Sequence, residues 1–346
     1  MPTAMKHKLL LLLMLISLCA CQSERYVIID GYAQSSSYHI KCLLSNSISQ
    51  QEVAQKVDSI FLAIDKSVSG YNKGSILSRI NNGEDIVLDT IFIELFNISK
   101  EVWEISDGAF DPSAAPLFDL WGFGFKDSTI TVSQKIDEAA EMKAYVGMNL
   151  FSLESRADGT YLHKLDSRSK LNFNAIAQGY SCDLLAQLLD DYGSSSYIIE
   201  LGGGEIVSKG ERDQGGPWKV GIDKPEDGNN ESGAMLQEVI SISNCGLATS
   251  GNYRKYYIED GVKYSHTIDP VTAAPVRHSL LSASVIAANG ALADAYATWF
   301  MVIGIDAAME AINTFDDPKI EAYLIVDNNG EMNLIHSSGQ KPQQSL

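Results

Sequence analysis

Cysteine is sparse in this chain and unpatterned. After Cys19 and Cys21 come only Cys42, Cys182 and Cys245, with no Cys-x-x-Cys. That spacing excludes a zinc ribbon and a disulfide framework, and buried packing is the default for the three later thiols. Positive charge is also short: 26 Lys and Arg stand against 44 Asp and Glu, a formal net charge of −18, which excludes nucleic acid as a partner. The phosphate-binding Gly-x-x-x-x-Gly-Lys-Ser/Thr pattern is missing. Gly202-Gly-Gly204 falls between two strand patterns rather than between strand and helix, so it is no dinucleotide fingerprint. After the first twenty residues no apolar run is long and unbroken enough to cross a membrane. The run after Gly290 carries Asp294 and is interrupted at Gly304-Ile-Asp306. No internal repeat is present.

What is present begins with a leader. Lys6 and Lys8 form a basic start, 9–18 an apolar stretch, and Leu18-Cys19-Ala20-Cys21 closes it. A small residue before Cys21, with Leu18 three before it, resembles the lipobox of bacterial lipoproteins. This predicts a signal peptide over 1–20, acylation of Cys21, and a domain over 21–340 held by lipid on a membrane surface outside the cytoplasm. An ordinary cleaved leader with a coincidental cysteine is the alternative.

Hydrophobic periodicity then assigns the elements. Residues 26–30 and 38–44 alternate as strands. Ser49 and Glu52 form a capping-box signature ahead of a helix with Val53, Val57, Ile60, Phe61, Ile64 and Val68 on one face. A second helix over 90–106 carries Ile91, Leu95, Ile98, Val102 and Ile105 as a stripe. Prolines and glycines forbid a long regular element over 109–125, yet its aromatics cannot stay in water. An ordered loop is expected, its rings either plugging the core or stacking on a planar ligand. A helix over 133–145 and a hairpin over Asp158-Gly159 follow, then a helix with Tyr180, Leu184, Leu185, Leu188 and Tyr192 inward. Strands over 197–201, 205–209, 218–223 and 236–243, a hairpin over Asp260-Gly261, a strand over 279–288, a helical pair over 291–315 and a hairpin over Asn329-Gly330 complete the chain. Residues 223–233 and the tail after His336 read as disorder. Many hairpins beside separate helices make the class α+β, with mixed or antiparallel sheets and packed helices.

Polar residues able to grip an anion or a metal gather between Leu247 and Thr298. On the helix after Gly290, Asp294 and Thr298 stand four apart on one face. A carboxylate and a hydroxyl are hard donors of the kind Mg²⁺ takes while leaning on waters and substrate phosphates. The same spacing also fits a Thr bonded back to its own helix and an Asp facing water. Upstream, Leu171-Asn-Phe-Asn-Ala-Ile-Ala-Gln-Gly-Tyr180 brings an extended segment to a helix N-terminus, suited to phosphate. Gly202-Gly-Gly204 is either a tight hairpin or backbone held close to a ligand.

In chain order, Gly108-Ala-Phe-Asp-Pro112, Leu120-Trp-Gly-Phe-Gly124, Ala175-Ile-Ala-Gln-Gly-Tyr180, Glu200-Leu-Gly-Gly203, Ala248-Thr-Ser-Gly251, Tyr264-Ser-His-Thr-Ile-Asp-Pro270 and Ala293-Asp-Ala-Tyr-Ala-Thr298 resemble the FAD:protein FMN transferases of the ApbE family. The resemblance covers essentially everything after the leader. It implies a T-fold-like architecture and an enzyme that binds FAD and passes its FMN half to a Thr or Ser hydroxyl of an acceptor redox protein, releasing AMP. It also implies Mg²⁺ on Asp294, Thr298 and the carbonyl of Ala175. The flavin and its phosphates would lie along Gln34, Tyr71, Ala109, Phe110, Asp111, Asn172, Gln178 and the strand from His266 to Ile268.

Asp294 and His266 are the catalytic candidates, the latter as the base for the attacking hydroxyl because its ordinary pKa is near neutral; a satisfied strand histidine is the alternative. The chain departs from the family pattern at Asn172 (commonly Asp), Gln178 (commonly Lys), Ser35-Ser36 (commonly Gly-Thr) and Ala273 (commonly Gly). Losing that Lys removes a cation from the phosphate region. Two rivals remain: a Mg²⁺-dependent FAD pyrophosphatase, which yields free FMN and AMP, and a flavin-binding lipoprotein that turns nothing over.

Overall fold

Two long strands open the fold and set its frame. β1 (Glu24–Ala33) and β2 (Ser36–Ser45) pair antiparallel around Gln34 and Ser35, both at positive φ. The structure is a computed structural model and describes residues 23–124, 130–226, 229, 233–253, 255–315 and 320–338. The leader, Cys21, Phe125 and the end of the tail lie outside the described residues.

Three helices follow. α1 (Gln50–Val68) buries Val53, Val57, Phe61, Ile64 and Val68 as its period predicts. Its capping box does not form: Ser49 makes no side-chain cap bond, and the Glu52 carboxylate instead accepts the Tyr192 hydroxyl at 2.8 Å. α2 (Ile76–Asn81) is short. α3 (Thr90–Ile105) is capped by Asp89, whose carboxylate accepts the Phe92 N–H. Its buried stripe is Phe92, Leu95, Phe96 and Val102, and Ile105 is 47% exposed. The stripe read from the isoleucines is therefore rotated, because the two large phenylalanines bury more apolar area and take the inner face.

Within the aromatic segment the expected loop contains a short helix, α4 (Ala115–Trp121), started by Pro116 in its first turn and stopped by Gly122. α5 (Val132–Met142) carries a true capping box between Thr131 and Gln134. β3 (Phe151–Arg156) and β4 (Gly159–Lys164) form a hairpin. α6 (Ala177–Asp191) buries Tyr180, Cys182, Leu185 and Leu189.

Beyond α6 come β5 (Tyr197–Leu201), β6 (Glu205–Lys209), β7 (Trp218–Asp223), β8 (Leu236–Ile242), β9 (Cys245–Gly251), β10 (Tyr256–Glu259) and β11 (Val262–Ser265). They are followed by β12 (Ile268–Asp269), β13 (Ala274–Pro275), β14 (Leu280–Ala287), α7 (Gly290–Thr314), β15 (Glu321–Asn328) and β16 (Glu331–His336). Within the stretch expected to be disordered, Asn229 is buried and its amide donates to the Lys224 and Met235 carbonyls. Cys42, Cys182 and Cys245 are free and buried.

One eight-stranded sheet, ordered β1-β2-β5-β6-β9-β14-β15-β16 and antiparallel throughout, separates two cores. Alternation along each strand feeds both. Tyr197, Ile199 and Leu201 of β5 face α1 and α6, while Ile198 meets the small β7–β8 sheet packed behind. α7 is apolar nearly all round, as a central helix must be, and packs on β9, β14 and α6.

α7 breaks at Gly304 (φ 79°, ψ 177°), and just before the break the Met301 carbonyl accepts His278 Nε2 at 2.9 Å. A methyl group at position 304 would lie 3.1 Å from the His278 ring, in a backbone region that side chains rarely enter. Gly304→Ala is therefore expected to lower unfolding stability by about 2–3 kcal/mol, read by thermal or urea denaturation.

Ala273, buried, occupies a left-handed turn at φ 63°, and its carbonyl accepts Trp121 Nε1 at 2.9 Å. The conformational cost of about 1–2 kcal/mol is partly offset by about 0.8 kcal/mol from burying the methyl group, so this left-handed turn tolerates alanine.

Candidate active site

α6 and α7 meet at Gly179 and Gly290. A Cβ on Gly179 would overlap the Gly290 carbonyl and stand 2.8 Å from Asp294 Cβ, and one on Gly290 would stand 2.5 Å from the Gly179 oxygen. With no side chain between them, the helices close until the Gly179 N–H reaches Asp294 Oδ2 at 3.1 Å. Gly179 is the third residue of α6, so its N–H is one of the first-turn donors that have no acceptor within the helix, and Asp294 satisfies it. The ladder of the helix begins one residue later, where Tyr180 N–H bonds the Ile176 carbonyl at 3.0 Å. The Ala175 carbonyl, just ahead of the helix, has no backbone partner among the described residues.

Ala175, Asp294 and Thr298 all line one cavity of about 360 Å³. Asp294 is only 5% exposed, and among the described residues its Oδ1 takes no hydrogen bond. Burial holds its carboxyl well above the usual range; the Gly179 N–H opposes this and the neighbouring Asp183 charge adds to it. Thr298 Oγ1 lies 3.4 Å from Ser250 Oγ and makes no bond to its own helix among the described residues. Neither half of the water-facing alternative describes this pair. A buried carboxylate without a cationic partner, an unbonded carbonyl and a hydroxyl are a hard-oxygen set that fits Mg²⁺. No group of three His, Cys, Asp or Glu side chains gathers here or elsewhere among the described residues.

The other walls carry His266, Lys255, Tyr71 and the rings of Phe118 and Phe123. His266 Nδ1 faces the Lys255 carbonyl at 3.2 Å, so Nδ1 carries the proton and Nε2 keeps its lone pair. Burial, with the Lys255 ammonium adding to it, lowers His266 to about 4, below the near-neutral value expected from its type. It is neutral at physiological pH, ready to accept a proton, though as a weaker base. Phe123 meets the His266 ring edge-on at 6.3 Å and stacks on Tyr257 at 5.5 Å. The aromatic segment thus divides: Phe110 and Trp121 plug the core, while Phe118 and Phe123 face the cavity.

Of the residues singled out from the sequence, Tyr71, Asn172, Ala175, Gln178, His266, Ile268, Asp294 and Thr298 are brought together around this cavity. Asn172 Oδ1 accepts the Asn174 N–H at 2.9 Å, a turn that Asp would make equally well. Four others stand outside the lining. Gln34 Nε2 donates to Ser181 Oγ at 2.6 Å, tying the β1–β2 turn to α6. Ala109 and Phe110 are buried in the core cluster that also holds Phe92 and Phe173. Asp111 accepts Trp103 Nε1 and the Ser113 N–H, and burial pushes it up to about 6.

Glu205, Asp223, Tyr253 and Lys255 also line the cavity and were not singled out. Their signal in the sequence was only position at strand ends. Lys255 supplies a cation where Gln178 lacks one. Gly202-Gly-Gly204 forms the β5–β6 turn, and Gly203 and Gly204 also line the cavity.

A helix N-terminus for phosphate, hard oxygens for a divalent ion and rings for a flat group define a site class for phosphorylated aromatic nucleotides. Within that class the chain belongs to the ApbE family, whose model matches residues 35–324. It is 31% identical over 320 residues to a Haemophilus influenzae protein named FAD:protein FMN transferase, covering 90% of each chain. A protein of the same name from Escherichia coli K12 is 30% identical over 298 residues, covering 80% of this chain and 83% of its own. Among solved structures, the flavin transferase ApbE from Vibrio cholerae aligns with a TM-score of 0.78 at 28% identity, over 92% of this chain and 98% of its own. The Pseudomonas stutzeri flavinyl transferase ApbE, in its apo form, has the same score and identity over 90% and 95%.

Proposed function

We propose that this protein is a Mg²⁺-dependent FAD:protein FMN transferase, moving FMN from FAD to a Thr or Ser hydroxyl of an acceptor protein. The observation that carries the metal-dependent part is the buried Asp294 with Oδ1 unbonded among the described residues, lining one cavity with Thr298 and with the Ala175 carbonyl, which has no backbone partner among the described residues. Bound by these three oxygens, Mg²⁺ would supply charge stabilisation across the diphosphate.

The protein's own residues do the rest. The N-terminus of α6 orients the diphosphate and Lys255 balances its charge, while Phe118 and Phe123 offer faces to the isoalloxazine. The acceptor oxygen attacks the FMN phosphorus in line and its proton passes to His266 Nε2. The phosphoanhydride bond breaks, and AMP leaves with the bridging oxygen. Lipid attachment through Cys21, placing this site outside the cytoplasm on a membrane surface, belongs to the same proposal and rests on the leader alone.

The test mixes purified protein, FAD, Mg²⁺ and a candidate redox subunit. Expected are AMP release, in-gel flavin fluorescence and an acceptor mass gain equal to FMN. Free FMN with AMP and no labelled acceptor would make it a pyrophosphatase, and FAD binding without products a carrier. His266→Ala is expected to slow transfer by about 10²-fold or more with FAD affinity held within a few fold. Transfer surviving within a few fold rejects the base assignment. Because His266 is lowered in the fold, its acid limb in kcat/KM should fall near pH 4 rather than 6.5. Between those values the unfolded chain binds more protons at this residue. Its contribution to stability is therefore present above about pH 6.5 and lost as pH drops to about 4.

A further inference from the structure

We infer that Asp183 is a positioning residue for the metal end of the cavity, holding α7 on α6 so that Asp294 captures the Gly179 N–H and, with Thr298, stays in the cavity that Ala175 also lines. The inference rests on the metal-dependent reading above. Its basis is a reciprocal joint. Gly179-Tyr-Ser-Cys-Asp183 and Gly290-Ala-Leu-Ala-Asp294 share the pattern Gly-x-x-x-Asp, which sets glycine and carboxylate on one face of each helix.

The glycines lie against each other, and each carboxylate serves the other helix's first turn. Asp183 Oδ1 accepts the Gly290 N–H at 2.7 Å and Oδ2 the Ala291 N–H at 2.8 Å, while Asp294 Oδ2 accepts the Gly179 N–H. The first turn of α7 is then fully satisfied, since the Asn289 side chain takes the Leu292 N–H and its carbonyl the Ala293 N–H. The joint is symmetric in form and unequal in use. Asp183 spends both oxygens on α7; Asp294 spends one on α6 and keeps Oδ1 unbonded, beside Ala175 and Thr298. Loosening Asp183 shifts α7 and moves Asp294 and Thr298, both carried on that helix, relative to Ala175 ahead of α6.

The test uses the full chain with Mn²⁺ as the spectroscopic stand-in, its binding read by electron paramagnetic resonance with and without FAD. Asp183→Asn puts an amide NH₂ against one backbone donor, and Asp183→Ser keeps a single short acceptor. Mn²⁺ affinity should fall about tenfold or more in Asp183→Asn and less in Asp183→Ser, with metal-free FAD binding changed under about threefold.

A purely architectural role would lower the unfolding midpoint and leave the Mn²⁺ affinity of the folded protein unchanged; that result overturns the inference. Should the Asn variant not fold, the Ser variant decides by the same criterion. Wild type that binds no Mn²⁺ in either condition also overturns it. Wild type that binds Mn²⁺ with the expected loss in the variants, yet transfers no flavin, leaves the joint standing and removes the proposed function instead.

Discussion

Asp294→Ala is expected to lose flavin transfer by about 10³-fold or more, because it removes a ligand of the proposed metal and leaves the first-turn Gly179 N–H of α6 without its acceptor. Asp294→Asn should be less damaging to metal binding, because its amide oxygen still accepts that N–H and keeps α7 joined to α6 at this point. Folding should survive both changes. The native carboxylate is buried against its own solvation preference, so the metal-free unfolding midpoint at neutral pH should hold or rise in the Asn variant. Mg²⁺ with FAD should raise the midpoint of the wild type and not that of the Ala variant. A transfer rate within tenfold of wild type in Asp294→Ala would remove this carboxylate from the reaction.

Gly179→Ala should damage fold and site together by adding a single carbon. Its Cβ would overlap the Gly290 carbonyl and lie 2.6 Å from the Gly290 carbonyl carbon and 2.8 Å from Asp294 Cβ, and backbone on both sides cannot step aside. The helices must part, although alanine is the better helix former by about 1 kcal/mol. The expected cost is about 2–3 kcal/mol in unfolding stability, by denaturant titration, with a drop of about 10²-fold in transfer from ligand misplacement. An unchanged unfolding midpoint would show that the close approach of α6 and α7 does not constrain the fold.

Much of this architecture could be read before any coordinates. The α+β class followed from hairpin signals at Asp158-Gly159, Asp260-Gly261 and Asn329-Gly330, each of which is a turn between paired strands. The Asp294 and Thr298 pair was legible because a helix puts residues four apart on one face whatever surrounds it. Side-chain competition was not legible. Glu52 went to Tyr192 instead of its own helix end, and Phe92 and Phe96 displaced the isoleucine stripe of α3. Ala109, Phe110 and Asp111, expected at the ligand through the family resemblance, stand outside the cavity lining, in the core or bonded to Trp103.

Sequence by itself determined what depends on near neighbours: the helix period, the turn residues, the leader pattern, the acidic balance and the ordered motifs that mark the family. Tertiary structure alone decided what depends on pairs far apart in the chain. That the Gly179 N–H finds its acceptor in Asp294 depends on two helices more than a hundred positions apart closing across two glycines, and no local pattern encodes that distance. The lowering of His266 to about 4 has the same origin, since burial and the Lys255 charge act through space and not along the chain.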